Sequence, residues 1–175
     1  RLGRASDASA DFLRALHVGS SESGQSERLF QQVDSSLMLA QAIVPNGAQW
    51  HYSTDRPPED WTMSSVDNSS WVTGAAPFGS HISSRTSWSS TSDIWLRRTF
   101  ELDQELESPP MLRVLADDRA DVYLNGILAA HVSGSSQTYK TVECSRQAFL
   151  RRGENTIAVH CRDDGSNAAA IDGGL

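Results

Sequence analysis

Two hydrophobic periods divide the chain near residue 45. Up to that point apolar residues recur at helical spacing, with Phe12, Leu13 and Leu16 in a short segment and Leu29, Phe30, Val33, Leu37 and Met38 in a longer one. Ser26 suits a helix N-cap, and Glu27 behind it suits the positive end of the helix dipole. The Gly- and Ser-containing stretch 17–26 reads as the loop between the two helices, and Pro45, Asn46 and Gly47 stop the second. Residues 1–45 are thus expected to be a helical N-terminal segment or linker. It either packs on the main domain or is the tail of a preceding one.

Past residue 47 the period shortens to two. Ile94, Leu96, Phe100 and Leu102 alternate with Trp95, Arg97, Thr99 and Glu101, and Leu112, Val114 and Ala116 alternate with Arg113, Leu115 and Asp117. Val122 and Leu124 lead into Asn125-Gly126, a strong two-residue hairpin signal, and 127–132 supplies the returning strand. Ile157, Val159 and Cys161 form another alternating set, preceded by an expected turn at Gly153-Glu154-Asn155. Short strands with turn punctuation and no helical pattern between them predict a mainly β, antiparallel sandwich over residues 46–175. Between Ser53 and Thr91 lies a long Ser- and Thr-rich stretch carrying Trp61, Trp71, Phe78 and Trp88. A loop of that length is either stitched down by its aromatics or functional.

Composition narrows the picture. Of 175 residues 38% are apolar and 12 are Gly, at the edge of the globular range, so a core can form beside a good deal of polar loop. The net charge of −7, with no block of like charge, argues against a nucleic-acid or anionic-membrane surface. No apolar run approaches the roughly 18 residues of a membrane span. The chain starts at Arg1 without Met and reads as a mature or excised piece. Two cysteines, Cys144 and Cys161, either close one disulfide or stay as buried thiols; they are too few for a four-thiolate zinc site.

The order of the motifs WHYSTDRPPEDW, DNSSWVTGAAPFG, IWLRRTFEL, LADDRADVYLNG and LRRGENTIAVHCRDDGSNAAAIDGGL resembles that of galactose-binding-like jelly-roll modules, over residues 48–175. The resemblance implies a jelly-roll sandwich of the kind that accompanies glycoside hydrolases, esterases and other secreted bacterial proteins. Its host would be secreted or periplasmic. The same module serves as a sugar binder in some hosts and as a spacer in others, so it speaks for fold more than for function.

Chemistry was sought in the remaining residues. The sequence has no G-x-S-x-G, H-E-x-x-H, P-loop, G-x-G-x-x-G or C-x-x-C motif. The five histidines, at 17, 51, 81, 131 and 160, lack a second ligand at helical or hairpin spacing, and His160 and His51 read as packing or surface residues. Arg98 shares the apolar face of Leu96 and Phe100, so an ion pair of Arg97 or Arg98 with Asp117 or Asp118 is expected, in a structural role. Asn68-Ser69-Ser70 fits a glycosylation acceptor. Asp163 and Asp164, in a turn with Asn167, can receive sugar hydroxyls or a structural calcium ion, with Asp172 a contributor to the latter, although the D-x-D-x-D-G spacing is lacking. No other cofactor is expected.

Sugar recognition needs an aromatic face and directional polar groups. In related jelly rolls these lie in loops at one end of the sandwich. Here the candidates are Trp88 with His81 and Arg85 in one loop and Asp163, Asp164 and Asn167 in another; the bland alternative buries Trp88 and leaves the polar residues solvated. Three readings follow. The favoured one is a non-catalytic module that binds a glycan beside a neighbouring catalytic domain or chain. The second is a structural or protein-interaction sandwich without a small ligand. The third, an independent hydrolase, is disfavoured because no nucleophile, base and orienting group stand together.

Overall fold

A computed structural model describes residues 47–81, 83–106, 108–133, 138–165 and 169–175. The helical segment expected over residues 1–45 lies outside them, apart from the turn residue Gly47 that follows it. Among the described residues the chain is all strand and connection: β1 (Gln49–Ser53), β2 (Val72–Ala75), β3 (Phe78–Gly79), β4 (Thr86–Ser87), β5 (Asp93–Leu102), β6 (Met111–Ala116), β7 (Arg119–Leu124), β8 (Ile127–Ser133), β9 (Lys140–Glu143), β10 (Gly153–Arg162) and β11 (Ala170–Gly174).

The strands form two sheets, one in the order β2-β1-β5-β10-β7-β8 and the other β4-β3-β11-β6-β9. Every neighbouring pair is antiparallel except β3 with β4, so the fold is mainly β with one parallel step. The alternation read from the sequence determines which face is buried. Ile94, Leu96 and Phe100 of β5, Val122 and Leu124 of β7, and Ile157 and Val159 of β10 face Leu112, Val114 and Ala116 of β6 and Ile171 of β11 across one core.

Structure and expectation part at three places. Residues 153–155 belong to β10, pairing with Leu102, Glu101 and Phe100. Asn155 imitated a turn residue because its buried amide does the work of one: it accepts from Arg151 N–H at 3.0 Å and donates to the Arg151 and Gly153 carbonyls at 2.7 and 2.9 Å. The 53–91 stretch is stitched down by its aromatics, with Phe78 and Trp88 in the main core. Trp61 and Trp71 instead pack with Trp95, Ala158 and Tyr123. The register His51↔Arg97↔Ala158↔Tyr123 puts this second cluster on the outer face of the six-stranded sheet, where Ala158 leaves room for the indole of Trp61.

The third departure concerns the arginines. Arg97, not Arg98, is fully buried, and it donates to the Trp61 carbonyl and, at 2.9 Å, to the Met63 carbonyl. The outer face on which Arg97 lies is roofed by the 54–71 connection, so its partners are main-chain carbonyls of that roof and not Asp117 or Asp118. Burial lowers the Arg97 pKa from its ordinary value, against the pull of Asp60. Asp117 and Asp118 serve locally: the Asp117 carboxylate accepts from Asp118 N–H at 3.1 Å, and that of Asp118 from Asp164 N–H at 2.6 Å.

Cys144 and Cys161 are free, buried thiols. Burial, reinforced by Glu143, pushes the Cys144 thiol up to about 12. Burial with Asp117, Asp163 and Asp118 raises that of Cys161 further.

Candidate functional site

Three connections cross between the sheets at one end of the sandwich. The first is the step from β4 to β5 through residues 88–92, the second from β6 to β7 through Asp117-Asp118, and the third from β10 to β11 after Arg162. The register Asp93↔Arg162↔Arg119 shows that the three arrive at the same level of the six-stranded sheet. Where they meet lies an open depression of about 440 Å³, lined by Ser89, Ser90, Thr91 and Ser92 on one side and Arg162, Asp163, Asp164 and Gly165 on the other.

The walls are tied together by hydrogen bonds. Asp163 N–H donates to the Ser92 carbonyl at 2.8 Å, and the Asp163 carboxylate accepts from Gly165 N–H at 2.9 Å. Arg119 donates to both oxygens of Asp164 at 2.6 and 2.5 Å, with Arg162 3.3 Å from the same carboxylate. Asp118 holds the turn from below in a left-handed conformation, φ 65°, that aspartate tolerates better than most residues. On the other wall the Ser92 hydroxyl donates to Asp93 at 2.8 Å and His160 Nε2–H donates to the second oxygen at 2.7 Å. Burial alone would raise the Asp93 pKa, but Ser92, His160 and Arg162 outweigh it and hold this carboxyl below its ordinary range.

Ser92, Asp93 and His160 are the residue types of a hydrolytic triad in the wrong order. A triad places the imidazole between hydroxyl and carboxylate so that it can take the hydroxyl proton. Here the carboxylate is in the middle, so Ser92 is a hydrogen-bond donor and not an activated nucleophile. His160 also stacks on Trp95, with ring centroids 4.8 Å apart and planes 3° from parallel.

Of the six residues singled out in the sequence, Asp163 and Asp164 line the depression. Trp88 adjoins it from within: its ring is in the core at 2% exposure, and its indole N–H donates to Thr91 Oγ1 at 3.2 Å. Burial takes its face out of reach of a sugar ring, as the bland reading has it. His81 is exposed and bonded within its own turn to Ser83 at 2.8 Å, while Arg85 lies against Gly47. Neither lines the depression. Asn167 lies outside the described residues. Sequence reasoning missed Arg162 and Ser89–Ser92; the four consecutive hydroxyls directly before the β5 alternation were the available signal.

Asp172 sits far from this turn in its bonding. It is buried on β11 and accepts from the Tyr139 hydroxyl and, at 2.8 Å, from Gly173 N–H. Among the described residues no three His, Cys, Asp or Glu side chains come together as a metal-holding group. No helix among them is long and apolar enough to cross a membrane.

No family model matches this sequence, and no curated protein matches it. Solved structures do. The chain is similar to a glycosyl hydrolase family 2 member from Bacteroides cellulosilyticus, with 18% identity and a TM-score of 0.54 over 76% of this chain and 20% of that one. It is similar to a β-glycosidase from Bacteroides vulgatus, with 14% identity and a TM-score of 0.53 over 75% and 20%. It is also similar to a β-glucuronidase from Bacteroides uniformis, with 15% identity and a TM-score of 0.53 over 75% and 17%. The likeness is one of fold: the chain spans about a fifth of the length of the first two of these and folds as a β-sandwich also present in glycoside hydrolases.

Proposed function

We propose that this chain carries a non-catalytic accessory module of galactose-binding-like jelly-roll type from a secreted or periplasmic carbohydrate-active protein. In this reading the depression between Ser89–Ser92 and Arg162–Gly165 receives glycan hydroxyls beside a linked catalytic domain. The observation that carries the reading is the lining itself, four consecutive hydroxyl side chains facing a carboxylate turn at the end where three sheet crossings converge. Hydroxyls both donate and accept, and carboxylates accept in pairs, which is the directional set that a polyol requires. The occurrence of the fold in glycoside hydrolases supports the context. Weak binding suits the task, since a tether raises the effective concentration of substrate near a linked active site.

Trp88 supplies a readout, because its N–H is bonded to a wall residue of the depression. Titration with neutral mono- and oligosaccharides is expected to give a saturable change in indole fluorescence in the millimolar range. The change should disappear in Trp88→Phe, while Ser92→Ala weakens binding without abolishing the signal. No response from any sugar at tens of millimolar would overturn the reading.

A second reading, a structural module that docks on a neighbouring domain or chain, is favoured by one observation. Met63, Ile127, Leu128 and Phe149 are all exposed around the β7–β8 hairpin, at the opposite end of β7 from the depression. The Asn125 side chain donates to the Phe149 carbonyl at 3.3 Å and Met63 lies over Gly126, so these residues share one surface. Sedimentation across a hundredfold range of protein concentration, compared with a Leu128→Glu, Phe149→Glu variant, reports whether that surface associates with another chain.

A further inference from the structure

The charge around the depression is lopsided. Asp93, Asp117, Asp118, Asp163 and Asp164 gather at this end of the sandwich, against the cations Arg119 and Arg162 and, at the rim, Lys140. All three cations are engaged. Both guanidiniums point at the single carboxylate of Asp164, and the Lys140 ammonium donates to the Ser133 carbonyl at 2.8 Å. His160 is turned to Asp93. Asp163, by contrast, spends one oxygen on Gly165 N–H in its own turn and lines the open side. The thiol of Cys161, in the core beneath, independently senses the same field: after burial, its rise comes from Asp117, Asp163 and Asp118. An acid sugar entering here would meet carboxylates and no free guanidinium to receive it, since a bidentate arginine is the usual receptor for a carboxylate.

We infer that the depression selects its glycan by charge, taking neutral and amine-bearing sugars and rejecting uronates, because its arginines are already committed to Asp164 while Asp163 faces the ligand. The inference rests on the glycan-binding reading above and adds the ligand class. It also separates this chain from the function named for one of its structural neighbours, a β-glucuronidase. Selection by exposed charge of this kind weakens as salt shortens the screening length from roughly 30 Å at 0.01 M to about 8 Å at 0.15 M.

The test is a titration of the full 175-residue chain, followed by indole fluorescence and by ligand-observed NMR. The probes are methyl glucoside, methyl galactoside, glucosamine, galactosamine, glucuronate and galacturonate, at 10 mM and 150 mM salt and neutral pH. Amino sugars are expected to bind about threefold or more tighter than their neutral counterparts at low salt, and uronates at least tenfold weaker. Both gaps should shrink at the higher salt. Asp163→Asn should narrow the gap between amino and neutral sugars; the salt dependence of the unmodified chain makes the same test should that variant fail to fold. Uronates binding as tightly as neutral sugars would overturn the charge rule and leave glycan binding standing. Silence from all six probes would overturn both.

Discussion

Arg97 and Arg98 differ by one position in β5, and that step puts one guanidinium on the outer face of the sheet and the other on the inner. Arg97 reaches two carbonyls of the 54–71 connection. Arg98 is half-buried and has a terminal nitrogen, Nη1, that is buried without a hydrogen-bond partner, and burial lowers its pKa. A charged donor bonded to a buried carbonyl is worth roughly 1.5–3 kcal/mol, so Arg97→Met should cost about 2 kcal/mol in urea unfolding. Arg98→Met should be neutral within about 0.5 kcal/mol or stabilising, since it relieves a desolvated charge. The reverse order would show that the roof bonds are incidental. Asp93 carries a pH signature. Its folded pKa lies below the ordinary value, so the stability it contributes is present above an unfolded pKa of roughly 3.9 and is lost as pH falls through the folded value. Asp93→Asn should therefore lower stability at pH 7 and flatten its decline below about pH 4, as read from thermal unfolding across pH.

Among the elements, those with strict alternation were legible: β5, β6, the β7–β8 hairpin and the inner half of β10 all lie where the period of two places them. The strands β2, β3, β4, β9 and β11 were not. Two of them are only two residues long, and β11 reads AIDGG, whose glycines carry no alternation. Gly79 shows why such a residue is needed, since a Cβ there would lie 2.2 Å from the Ala169 carbonyl oxygen. The candidate site was half legible for a related reason. Asp163 and Asp164 announce a turn by composition, but which loop faces them depends on sheet order, and sheet order is a long-range property that no local period encodes. Trp88 was visible as an aromatic in a polar stretch; its burial followed from the strand it precedes. The 54–71 connection, held by Trp61 over Ala158 and by Arg97, is the element most open to test. Trp61→Ala should cost about 3 kcal/mol and speed proteolytic cleavage within residues 54–71, with the main sheets intact by circular dichroism. Unchanged cleavage would mean that the roof is held elsewhere.

For the molecule as a whole, the described domain has two unlike ends. One carries hydroxyls and carboxylates, the other an apolar hairpin surface, and a core of interleaved aliphatic and aromatic side chains separates them. The buried cysteines report on the integrity of that core. With the Cys144 thiol raised to about 12 and that of Cys161 also well above its ordinary value, almost no thiolate exists at neutral pH. Both should stay silent toward a disulfide-exchange reagent at pH 7.5 until urea reaches the global transition, then react together. Reaction of Cys144 alone at low urea would reveal local opening around the turn after β9.

The convergence of three sheet crossings at one end bears on how such a domain can change over evolutionary time. Each crossing begins and ends on strands whose inward residues are locked in the core, so the segments 89–92 and 163–165 can exchange residues or gain length without shifting any strand by a register step. A lineage can thus re-aim the depression at a new ligand while its framework accumulates only core-preserving changes. Sandwiches with almost unrelated sequences, at 14 to 18% identity, would then keep one shape and diverge most at that rim.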